Sequence, residues 1–247
     1  MSPTPPTELR NRHGERLAFS FTPGAPEGQD RVVLGHGVTS DKDRPWSEGL
    51  AAALAQHGFA SLRIAFSGNG ESEGAFADST ITKEVEDLGA VLDACAGWRT
   101  SYVGHSMGGA VGLLRTVADE RISALVSLAA VTHTREFVDR VFGDLREGEP
   151  MLDKPHCPFS IALRSDLQAH GTLAPLARKV RVPWLVVHGD EDEIVPLSHS
   201  LDLLAAGGDR LEFVRLDGVD HSFSGAGLER MLDAVTPWLL AALTAKD

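Results

Sequence analysis

The chain has 247 residues, 43% hydrophobic and 23% charged, enough to bury one core of the size found in single α/β domains, so one domain over 1–247 is expected. Its 35 acidic against 23 basic side chains give a formal charge of -12, which repels a phosphate backbone and argues against nucleic acid and anionic membrane surfaces as partners. Two widely separated cysteines, Cys95 and Cys157, no apolar leader in "MSPTPPTELRNRHGE" and no run near the roughly 18 apolar residues of a membrane span make a cytoplasmic protein the expectation.

In chain order, the first apolar run is "RLAFSFT" (16–22), preceded by a His13-Gly14 pair that suits a hairpin, so the N-terminal edge of a sheet is expected to be antiparallel. "RVVLG" (31–35) follows and ends in "HGVTS", where His36 reads as a loop-shaping residue. Helical spacing over 46–56 then leads to "ASLRIAF" (60–66) and the glycine-rich turn "SGNGESEG", in which Ser67 and Asn69 are candidates to border a site. A helix over 81–94 precedes the strand "SYVG" (101–104), and a helix over 107–117 follows it. Strands continue as "ISALVSLAA" (122–130), "WLVVHG" (184–189) and "LEFVRL" (211–216), with helices over 197–205 and 228–243. Strands alternating with helices predict a mostly parallel sheet covered on both faces. One stretch breaks the alternation: residues 132–182 hold Pro150, Pro155, Pro158 and Pro175 with scattered phenylalanines, and read as an insertion overhanging the ligand crevice as a lid.

The turn between "SYVG" and its helix carries the chemistry. "GHSMGG" (104–109) places Ser106 between glycines on a strand-to-helix turn, which lifts the hydroxyl above the sheet edge and aims the backbone N–H of Met107 at an incoming carbonyl oxygen. Serine needs a base within hydrogen-bond reach. Of the ten histidines, His105 is expected to point away from the hydroxyl, and His188 to pack at its strand end. His221, in "DGVDHSFSG" between the last strand and the last helix, lies on the edge where Ser106 emerges and is the candidate base. The base needs a carboxylate to fix its tautomer. "HGDEDEIVP" (188–196) offers four in a row, and spacing alone does not separate Asp190 from Asp192. His and Cys never form a metal-spaced cluster, and no dinucleotide or phosphate-loop motif occurs, so no metal or cofactor is expected.

With "LGHGVTSDK", "AFSGNGESEG", "VGHSMGG", "HGDEDEIVP" and "GVDHSFS" in this order, the chain resembles the serine α/β-hydrolases, and within them small carboxylesterases similar to cinnamoyl and feruloyl esterases, from about Val32 to Leu240. The resemblance implies an α/β-hydrolase fold with a short lid insertion between strands 6 and 7, and a triad of Ser106, His221 and Asp192. It further implies an oxyanion hole built from the N–H groups of Val38 and Met107. The implied activity is hydrolysis of small or aromatic carboxylic esters. A thioesterase, a serine aminopeptidase or a cofactor-free perhydrolase would carry the same triad, and a hydrolase-like binding protein would keep the pocket without the chemistry. The H-G-G-G motif of many lipases is replaced by "HGVT", and nothing in 132–182 matches the residues that hold an aromatic acyl group.

Overall fold

Four strands of four to seven residues open the chain: β1 (Phe19–Thr22), β2 (Asp30–Gly35), β3 (Ala60–Ile64) and β4 (Arg99–His105). They belong to a computed structural model that describes residues 6–244. Between them lie α1 (Pro45–Gln56) and α2 (Ile81–Ala94), and after β4 come α3 (Met107–Ala118) and β5 (Ile122–Leu128). The next segment forms α4 (Thr134–Phe142), the hairpin β6 (Pro150–Met151) and β7 (Lys154–Pro158), and α5 (Ile161–His170). β8 (Trp184–Gly189), α6 (Ser198–Ala206), β9 (Leu211–Leu216) and α7 (Ala226–Thr244) complete the order.

The main sheet runs β1-β3-β2-β4-β5-β8-β9, parallel except for β1, which is antiparallel to β3. Burial on both faces explains its near-continuous apolar strands. In β2, Val32 and Leu34 point to the layer formed by α1 and α7, where Leu50, Leu54, Met231 and Val235 meet them. Val33 points the other way, into a core shared with Leu88, Val91, Val111 and Leu203 of α2, α3 and α6. A mostly parallel sheet with helices on both faces is therefore the architecture.

Two expectations need adjusting. The first strand is shorter than the apolar run 16–22, because the backbone at Arg16 and Ala18 is already engaged by the turn after β3. Arg16 N–H donates to Glu73 and Ala18 N–H to Ser72 Oγ, each at 2.8 Å. The preceding hairpin contributes only an isolated bridge, Arg10 to Arg16, so the insertion leaves after the fifth strand of the main sheet and returns at the sixth, one strand earlier than the resemblance implied. The insertion also has regular structure of its own. Phe137, Phe142 and Phe159 pack ring against ring with centroids 5.7 and 6.1 Å apart, joining α4 and the end of the hairpin to the core on that face of the sheet. Two of its prolines sit opposite each other, Pro150 with Pro158, at the open end of a two-stranded ribbon, where the backbone N–H that proline lacks is not called on by a further strand. Leu152 and Asp153 turn the ribbon with φ of 49° and 58°, as a tight hairpin turn demands.

Candidate active site

At the C-terminal edge of the sheet, β4 runs into α3 through Ser106, whose φ of 56° and ψ of -120° lie outside the regions comfortable for a residue with a side chain. Such a conformation costs on the order of 1–3 kcal/mol and persists only where neighbours impose it. The imposition is visible. Ser106 N–H donates to Leu128 O at 2.8 Å, its carbonyl accepts from Val131 N–H at 3.0 Å, and Tyr102 Oη donates to Gly108 O at 3.0 Å, bracing the first turn of α3 from the strand below. A Cβ on Gly104 would lie 2.2 Å from Gly108 O, so strand and helix approach this closely only with glycine there. Gly37 meets the same constraint against Ser106 itself, its virtual Cβ falling 2.7 Å from the serine Cβ. Thr39, Ala129 and Phe223, on three other strand-end loops, also have positive φ, so backbone strain gathers around this edge.

Ser106 Oγ lies 3.1 Å from His221 Nε2, and His221 Nδ1 lies 2.7 Å from Asp192 Oδ2. A carboxylate on Nδ1 requires Nδ1–H to donate, which leaves the Nε2 lone pair facing the serine hydroxyl, the state a general base needs. Asp192 is the innermost of the four acids. Its Oδ1 accepts from the N–H groups of Ile194 and Val195 at 2.9 and 2.7 Å, while Oδ2 lies between His221 and His188 Nε2 at 3.2 Å. Burial alone would raise this carboxyl, but hydrogen bonds from His188, His221 and Val195 outweigh it and hold Asp192 well below the usual carboxylate range. Asp190 instead accepts from Gly218 N–H and from Arg215, each at 2.6 Å, which ties the loop after β8 to the loop after β9. Geometry thus separates two acids that spacing left equivalent.

Three further histidines hold this arrangement in place. His188 accepts from Ser200 Oγ at Nδ1 (2.6 Å) and donates from Nε2 to Val195 O (2.9 Å), so its link to Asp192 is a third contact that strand-end packing alone does not convey. His105 turns away from the Ser106 hydroxyl, and its Nε2–H donates to the carbonyl of His221 at 2.8 Å, its ring 4.7 Å from that of His221. Burial lowers His105 to about 3, with the neighbouring His221 adding to the effect, so it is a neutral donor. His36 shapes its loop as expected: Nδ1–H donates to Gly37 O at 2.8 Å and Nε2 accepts from Phe66 N–H at 3.0 Å, with burial lowering its pKa to about 4. Ser67 and Asn69 are buried within their own turn, where Asn69 Nδ2 donates to Ser67 O and Ser79 Oγ. They do not line the cavity at Ser106.

That cavity has a volume of about 480 Å³ and is bounded by Val38, Trp46, Phe223, Leu228 and the hairpin tip at Leu152. Val38 follows Gly37 directly over Ser106, and Met107, as the first helical residue, has an N–H with no acceptor inside α3. A cavity with apolar and polar walls and with a hydroxyl, an imidazole and two loop N–H groups at one end can bind a small acyl compound and transfer its acyl group.

A family model described as serine aminopeptidase, S33, matches residues 26–147. Among curated proteins, palmitoyl-protein thioesterase ABHD10, mitochondrial, of Rattus norvegicus is 29% identical, the match covering 59% of this chain and 53% of that protein. The chain thus spans about half the length of the first curated relatives it matches. Alpha/beta hydrolase domain-containing protein 17B of Xenopus tropicalis is 24% identical over 94% of this chain and 75% of its own length. Among solved structures, Est1E from Butyrivibrio proteoclasticus with ferulic acid bound superposes with a TM-score of 0.85 at 21% identity, covering 97% of this chain and 100% of that one. Mouse alpha/beta hydrolase domain-containing protein 10 gives 0.78 at 20% identity, covering 96% and 98%. At such identities the structural likeness establishes a shared fold.

Proposed function

We propose that this chain, which has the α/β-hydrolase fold, is a serine esterase that cleaves small or aromatic carboxylic esters through an acyl-enzyme. The observation that carries this reading is the hydrogen-bonded chain from Ser106 Oγ through His221 to Asp192 at 3.1 and 2.7 Å. Ser106 Oγ attacks the ester carbonyl carbon while His221 Nε2 takes its proton, and Asp192 stabilises the imidazolium that forms. The tetrahedral oxyanion accepts hydrogen bonds from the N–H groups of Val38 and Met107, each worth on the order of 100- to 1000-fold in rate. The C–O bond to the alcohol then breaks, and His221 protonates the departing oxygen. Water, deprotonated by His221, attacks the acyl-enzyme, and the carboxylic acid leaves with Ser106 restored.

Residues 132–182 serve in this reading as the lid, supported by Leu152 at the cavity wall and by Lys154 Nζ, which donates to Thr39 O at 2.7 Å and so ties the hairpin to the oxyanion loop. A thioester is the second reading. It is favoured by the palmitoyl-protein thioesterases among the relatives, and its acyl-enzyme is the same. The free, buried thiols of Cys95 and Cys157 support a reducing, cytoplasmic setting. The test is a panel of p-nitrophenyl esters, acyl thioesters and aminoacyl anilides, with fluorophosphonate labelling of wild type and Ser106→Ala. Ester turnover and labelling that both vanish in Ser106→Ala are expected. A folded wild-type protein that does not label would instead be a binding protein, and one that cleaves only anilides would be a peptidase.

A further inference from the structure

The cavity at Ser106 is lined by two cations, Arg44 and Lys154, and by no carboxylate, in a chain whose formal charge is -12. Arg44 is the residue before α1, and its guanidinium forms no ion pair among the described residues. Its backbone N–H goes to Ser47 Oγ at 3.3 Å, and the carboxylate beside it in sequence, Asp43, is already held by Lys42 and Arg63 at 2.5 and 2.7 Å. Lys154, 110 positions further along, is brought to the same wall by the β6–β7 hairpin, and its Nζ makes its contact with a backbone carbonyl rather than an acid. Both side chains are half-buried, which strengthens their attraction for an anion over that of fully solvated charges. Thr39 and Ser40 add hydroxyls beside them, while Trp46 and Leu228 supply apolar wall.

The opposite side of His221 has the reverse charge. A second groove of about 580 Å³ shares Ile194, His221 and Ser222 with the first and is bordered by Asp190, Glu191, Asp192, Glu193 and Asp220. An anionic group entering the site is repelled from that groove and drawn to the wall at Arg44 and Lys154. Building on the esterase reading, we propose that the substrate is an ester bearing an anionic group, a carboxylate or a phosphate, which docks on Arg44 and Lys154 while the ester carbonyl lies at Ser106.

Two pairs that differ in one anionic group test this. Mono-p-nitrophenyl glutarate against p-nitrophenyl valerate places a carboxylate in the acyl part, and butyryl glycerol phosphate against monobutyrin places a phosphate in the alcohol part. After subtraction of buffer hydrolysis, wild type is expected to favour the anionic member of at least one pair by about tenfold or more in kcat/KM, since a hydrogen bond to a charged group contributes on that scale. The pair that shows the preference identifies the source of the anion. The preference is expected to shrink toward one in Arg44→Gln, to survive in part in Arg44→Lys, and to fall as salt is added. Neutral members cleaved as fast as or faster than both anionic ones, with the ratio unmoved by Arg44→Gln, would overturn the proposal and leave the esterase reading intact. Cleavage of none of the four by a protein that does not label with fluorophosphonate would overturn the esterase reading and this proposal together.

Discussion

The two sides of His221 are built from different kinds of sequence. The acidic side is local: Asp190 to Glu193 are consecutive, and Asp220 precedes the histidine itself. The cationic side is assembled across the chain, from Arg44 before α1 and Lys154 on the hairpin. A run of like charges stays together on a loop and needs no fold to be seen, whereas two isolated cations become a pair only when the fold places them on one wall. Within the acidic side, one carboxylate is withdrawn from solvent into four hydrogen bonds while its neighbours remain at the surface. Across the other side, the buried imidazoles of His36 and His105 are held neutral. The contrast shows how one strand-end edge keeps an acid ionised and imidazoles uncharged on loops that meet there.

Removing the point where the two sides meet gives the largest effect. Ser106→Ala should lower kcat by about a million-fold with unchanged circular dichroism, by the measured behaviour of triad knockouts. Residual activity within tenfold of wild type would end the assignment. Next, Asp192→Asn should cost about 10⁴-fold in kcat and Asp190→Asn less than about tenfold, which tests in steady-state assays whether the acidic side holds one working carboxylate.

Acidification separates the sides in a third way. His36 and His105 have folded pKa values of about 4 and about 3, against roughly 6.5 unfolded. Between those limits the unfolded chain binds protons that the folded one refuses, so stability falls as pH drops below about 6.5. Each histidine should remove about 2 kcal/mol between pH 7 and pH 5, roughly a thirtyfold change in the folding equilibrium. Urea midpoints at the two pH values measure this, and the difference should narrow in His105→Gln. Asp192 behaves oppositely: its folded value is depressed, so its contribution is complete above the ordinary carboxylate range and is lost only in stronger acid. The smallest effect should come from neutralising the exposed acids. Glu191→Gln with Glu193→Gln is expected to raise kcat/KM for the anionic esters by about two- to threefold at low salt and by nothing at high salt.

Much of the sheet and of the candidate site was legible in the sequence for a shared reason. Buried parallel strands must be short apolar runs, and a serine on a sharp turn must have small neighbours, so "RVVLG", "WLVVHG" and "GHSMGG" announce themselves. The helices α4 and α5 did not, because they are short, part of their apolar surface meets one another and the hairpin, and four prolines in the segment obscure the pattern. His188 and His105 were visible only as strand-end histidines. Their hydrogen bonds to Asp192 and to the His221 carbonyl join positions far apart in the chain or set by a particular rotamer, which no local pattern records.

The β6–β7 ribbon makes a sheet of two, sharing no strand with the seven-stranded one, and its tip reaches the cavity with Leu152 and Lys154. Side chains at that tip can therefore be replaced without removing a backbone hydrogen bond from any ladder of the main sheet. The walls of the cavity and the turn that holds Ser106 thus rest on separate hydrogen-bond ladders, so substitutions at the hairpin tip are expected to alter what fits beside Ser106 while leaving the strand that presents it in register.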